Sequence, residues 1–156
     1  MDMVLKKLGS KVFYIIILLF FIQCKERNKD IKEIGLKYDN YELLSDFNDE
    51  AGVCSFKEYK LFINKDHGGI SKNSSFVKQL REDEKWNVED WSNNIDTDFL
   101  DFIYSNFKYS SLKENIGNNE NYYLYGYKGK KNDLFAIKLF IFIPNKNLLY
   151  HFEIIP

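Results

Sequence analysis

The side chains in this sequence that could do chemistry are few and far apart. Its only histidines are His67 and His151, and its only cysteines are Cys24 and Cys54. His151 and Glu153 are two residues apart, so on a strand both would point to one face and could begin a metal site. A zinc site needs three or four ligands, and no His-x-x-x-His or Cys-x-x-Cys spacing supplies the rest. Cys54 with either histidine would form a nucleophile and base only if the fold brought them together. His67 stands in Asp66-His67-Gly68-Gly69, which has the composition of a turn. Glu82, Asp83 and Glu84 form a charge run suited to a solvated helix face. No Gly-x-Ser-x-Gly elbow and no Gly-rich phosphate loop is present. The expectation is a chain with no catalytic residue, no metal and no cofactor. The competing reading is a hydrolase or metal-dependent enzyme using His67, His151, Glu153 or Cys54.

One further pattern could bind a ligand. Tyr123, Tyr125 and Tyr127 alternate along a β-like segment, giving one face a row of flat rings with hydroxyl handles, a platform for a sugar or peptide. The alternative is that the rings pack beneath helices, since tyrosine favours strands on propensity alone.

Composition narrows the classes. The 156 residues are 29% charged and 45% apolar, the balance of a globular domain. Aromatics reach 17%, which the codon bias of an AT-rich genome is enough to explain. The formal net charge is −1, and without Asp2, Lys6, Lys7 and Lys11 it becomes −3, with 19 basic and 22 acidic residues. No basic surplus points to nucleic acid.

The N-terminus carries an address. Three lysines within residues 1–11 precede an unbroken apolar run, Val12 to Ile22. A membrane-spanning helix needs about 20 apolar residues, so this shorter run fits the core of an export signal. It ends in Phe21-Ile22-Gln23-Cys24, which resembles the lipobox of bacterial lipoproteins, although Gln23 stands where a small residue is usual. The resemblance covers about the first 24 residues. It implies cleavage before Cys24, a diacylglycerol thioether on Cys24 and further N-acylation, an anchor of two or three chains that holds durably where one would not. With no Asp after Cys24, the resemblance implies the outer rather than the inner membrane of the cell envelope. Residues 1–23 are thus expected to be the signal peptide. Residues 24–33, alternating in charge, read as a solvated tether, and residues 34–156 as one globular domain. If Cys24 carries lipid, Cys54 has no partner and reads as a buried thiol.

Positioning elements follow from periodicity. Tyr41, Leu44 and Phe47 after Asp39-Asn40 predict a short helix. Residues 53–63 predict a strand, with a bulge because neither alternate set is purely apolar. Ser74 or Ser75 can cap a helix running to about Lys85. Asn73-Ser74-Ser75 also has the form of a glycosylation sequon, but the cap is the better reading. Trp86 and Trp91 sit in a polar stretch and are expected to wedge against the core. A second helix spans about 98–106, with Phe99, Phe102, Ile103 and Phe107 on one face. Three strands close the chain, about 121–128, 133–143 and 148–155, joined by short turns and therefore antiparallel. The middle one, with Leu139-Phe140-Ile141-Phe142-Ile143, is apolar on both faces and should be central. The expected fold class is α+β: a short N-terminal helix and strand, two helices and a C-terminal three-stranded antiparallel meander. The function this supports is a non-catalytic binding or assembly module, lipid-anchored in the envelope, with a protein or glycan partner. An immunity protein neutralising a toxin is one form it could take.

Overall fold

The computed structural model describes residues 29–49, 53–64, 69–106, 115–116, 120–130 and 133–155. The expected signal peptide, Cys24, His67 and Phe107 lie outside them. The chain divides into two compact units, residues 1–33 and 34–156. The first contains a one-turn helix, α1 (Lys29–Glu33), within the expected tether. The second is built on strands.

Among the described residues there are eight strands: β1 (Leu36–Lys37), β2 (Asn40–Asn48), β3 (Cys54–Phe62), β4 (Gly69–Ile70), β5 (Asn87–Ser92), β6 (Tyr122–Lys130), β7 (Asp133–Ile143) and β8 (Leu148–Ile154). Two helices accompany them, α2 (Ser75–Glu82) and α3 (Thr97–Asn106). β1 and β4 pair into a ribbon, and the other six form one antiparallel sheet in the order β2-β3-β8-β7-β6-β5. The domain is therefore mainly β. This corrects the α+β layout, because the expected meander is only the middle of a larger sheet.

Two segments account for the difference. Residues 40–48 are a strand and not a helix. β2 pairs with β3 along its length, with a register shift between Leu43 and Ser45. That bulge inserts Leu44 and breaks the alternation of two, leaving a spacing of three that imitates a helical face. The bulge expected in β3 lies in its partner instead. β5 was hidden by polarity, since Trp91 is its one buried residue.

β7 does lie between β6 and β8. Its two faces are covered by different helices. On one face Ile137, Leu139 and Ile141 join Tyr125, Tyr150, Phe152 and Phe56 in a core capped by Phe99 and Ile103 of α3. On the other, Phe140 meets Phe76 of α2 edge-on, with ring centres 5.1 Å apart. Ser74 caps α2, its hydroxyl accepting from the Val77 amide at 3.3 Å. At the other end of α2 the Lys128 ammonium lies 2.8 Å from Asp83 and over the Trp86 ring. Gly126 lets the helix come close, since a Cβ there would stand 2.7 Å from Leu80 Cδ1.

Gly35 leads into the ribbon at φ 79°, and a Cβ would meet the Ser71 carbonyl oxygen at 2.5 Å. Both the left-handed backbone and the space require glycine. Two stability predictions follow from this packing. Phe140→Ala should lower stability by about 3–5 kcal/mol, whereas Leu44→Ala, in the exposed bulge, should change it by less than about 0.5 kcal/mol. Urea unfolding of both variants checks the contrast, and equal effects would refute the placement of β7 at the centre.

Candidate functional site

The sheet separates the residues that an enzyme would need. Cys54 pairs with Ile154 and packs against the α3-side core. His151 and Glu153 point the other way, since the strand alternates. A Cys54–His151 dyad is thereby excluded by the sheet itself. Glu153 is 2.6 Å from the Lys138 ammonium of β7. The His151 ring is buried and stacks on Phe140, with centres 4.2 Å apart and planes 7° from parallel. Its Nε2 is buried with no hydrogen-bond partner among the described residues. Burial, with Lys57 on β3 and Lys138 on β7 adding repulsion, pulls its pKa down to about 3. His151 is thus a neutral core ring. Among the described residues no group of three His, Cys, Asp or Glu side chains could hold a metal.

Cys54 is half-buried and free. Its amide donates to Asp49 Oδ1 at 2.9 Å. Burial, and then the Asp49 carboxylate, push the thiol pKa up, the reverse of what activates a nucleophile.

The tyrosine row shares one face as its alternation requires, but Tyr123 and Tyr125 are buried. Phe99 of α3 packs on Tyr125 and Tyr127, with ring centres 4.9 and 5.0 Å away. Burial raises the Tyr125 hydroxyl to about 12, with Glu89 contributing. In this fold the row serves as the seat of α3.

A concavity lies elsewhere, at the end of the sheet where β7 turns into β8. It holds about 580 Å³, within the ~300–1,000 Å³ range of small-ligand sites. Leu36 and Ile70 come from the β1–β4 ribbon, Trp91 from β5, Tyr122 from β6 and Phe142 from β7. Ile63 and Pro144 complete the apolar side, Asn147 adds a polar residue, and Lys72 supplies the charge. The walls are fixed by local chemistry. The Trp91 indole donates to the Ile34 carbonyl at 2.7 Å, which locks the ring. Asn147 adopts a left-handed conformation and its amide closes the turn onto the Pro144 carbonyl at 3.1 Å. The described lining holds no carboxylate, imidazole, thiol or serine hydroxyl, and its apolar walls can enclose an apolar group.

No family model, curated protein or solved structure matches this chain. Function has to be argued from the molecule alone. Of the groove residues, sequence reasoning singled out Trp91, as a large ring in a polar stretch, and Phe142, as part of the central apolar run, and neither as a binding residue. The others come from separate elements and share no local signal.

Two measurements check these assignments. Cys54 should react slowly with a maleimide at neutral pH and fast in denaturant, and rapid native labelling would show an activated thiolate. His151 should make the fold acid-sensitive. The unfolded ring takes up a proton below about pH 6.5 while the folded ring stays neutral to about 3, so stability present at neutral pH is lost as pH falls through that window. Lowering pH from 7.5 to 5.5 should cost wild type about 1 kcal/mol more than His151→Phe, read from urea unfolding at both pH values. Equal losses would mean that the ring is solvated.

Proposed function

We propose that the chain is a lipid-anchored binding module of the bacterial cell envelope, with no catalysis of its own, that grips an apolar group of its partner in the groove at the β7–β8 turn. The observation that carries the binding part is the groove's chemistry: large, predominantly apolar and rigidly walled. The anchoring part rests on the basic segment, the apolar run and Cys24. Among the described residues no helix is long and apolar enough to cross a membrane. A charged stretch before residue 34 would set the domain off the bilayer, the outer membrane on this reading, where it meets a protein or glycan partner.

Each part has its own test. Metabolic labelling with a palmitate analogue should mark wild type and not Cys24→Ser, and the variant should leave the membrane fraction. A wild-type chain that takes up no label would end the lipoprotein reading. For the groove, an environment-sensitive apolar dye should bind at one site per chain. Ile70→Glu, which sets a carboxylate among the lining residues, should weaken it by about tenfold or more. An unchanged affinity would place the dye elsewhere and leave the groove without a role.

A further inference from the structure

The two edges of the main sheet differ. β5 packs beside α2. β2, at the opposite edge, has β3 as its one sheet neighbour among the described residues, and none of its nine residues is buried. Leu43, Leu44 and Phe47 are 45, 49 and 40% exposed. An open strand with large apolar side chains is a template for another strand.

Charge says which strand. Residues 38–56 contain no lysine or arginine, and Asp39, Glu42, Asp46 and Asp49 punctuate β2 and its ends. Lys60 and Lys57 face Glu42 and Asp46 from β3. Lys60, however, turns its ammonium to the Lys146 carbonyl at 2.6 Å. Glu42 is left without an ion pair among the described residues. The bulge places Glu42 and Phe47 on one face of β2 and Leu43 and Asp46 on the other, so each face of the open strand carries one exposed carboxylate beside one exposed apolar side chain. A second copy of this chain fits badly: it would bring a strand with the same carboxylates and no cation against Asp39, Glu42, Asp46 and Asp49, and like charges across a strand pair repel.

We propose that β2 is a docking edge for an extended basic segment of a protein partner, which adds to the sheet as a further strand. Main-chain hydrogen bonds along β2 would hold it, with a lysine or arginine beside Glu42 and an apolar side chain beside Phe47 on one face, and a lysine or arginine beside Asp46 and an apolar side chain beside Leu43 on the other. This edge belongs to β2, which contributes nothing to the groove, and it does not depend on the groove's having a ligand.

The test uses the full-length chain and three synthetic nonapeptides: a valine peptide with Lys at every third position, which the bulge requires if lysines are to meet both Glu42 and Asp46, the same peptide with Glu for Lys, and the Lys–Val peptide N-methylated at alternate residues. The Lys–Val peptide should bind, weaken as salt rises, and slow amide exchange within residues 40–48. The glutamate and N-methylated peptides should bind about tenfold more weakly or worse. The double variant Glu42→Lys/Asp46→Lys should lose affinity for the Lys–Val peptide to a similar degree. The peptide comparison on wild type stands even if that variant folds poorly. Equal binding of the N-methylated peptide would rule out strand addition, and equal binding of the glutamate peptide would rule out charge selection. Protection outside residues 40–48, or self-association of the chain through β2, would overturn the assignment of the edge.

Discussion

β7 is apolar on both faces, and a strand of that kind must be covered twice. Most of the domain's architecture is an answer to this requirement. Antiparallel partners on both sides satisfy its backbone, α2 shields one face through Phe76, and α3 shields the other through Phe99 and Ile103. The burial of Phe140 and of its ring neighbour His151 follows from the same demand. So does the burial of the tyrosine row, which lies on the surface that α3 has to cover.

Several of these relations could be read from the sequence and others could not. The five apolar residues 139–143 announced a central strand, and the helix beginning at Ser75 announced itself by its serine cap. Alternation in β8 correctly placed His151 and Glu153 on one face. Periodicity, however, reports faces and not neighbours. Nothing local tells that β3 will lie against β8, or that two helices will take opposite sides of one sheet. β2 was misread for a specific reason: its bulge replaces the period of a strand with the spacing of a helix. β5 escaped because an edge strand needs little burial and can afford polar residues at most of its positions.

The groove illustrates the same limit. Its walls come from the ribbon, from three strands and from a turn, so no stretch of sequence carries its signature. What is legible in retrospect is Trp91, a large ring without an apolar neighbourhood in sequence, whose neighbourhood is supplied by Leu36 and Phe142 in space. The chemistry-bearing residues gave the opposite lesson. His151, Glu153 and Cys54 looked like a possible constellation in one dimension. The pleat of a single sheet is enough to keep Cys54 apart from the other two.

The sheet order has a consequence for how the protein can be made. Cys54 and Ile154 are neighbours across a strand pair, a hundred residues apart in the chain. β8 stands in the interior of the sheet and is synthesised after the other five described strands of that sheet. Until residues 148–154 have emerged, the β2–β3 hairpin has nothing to dock on, and β7 lacks one of its two partners. Closing such long loops is slow. The nascent chain therefore passes through a period in which its most apolar strand is half-paired. A chain broken off before Leu148 would lack the middle of its sheet, leaving a hairpin and a three-stranded remnant that no longer touch through hydrogen bonds.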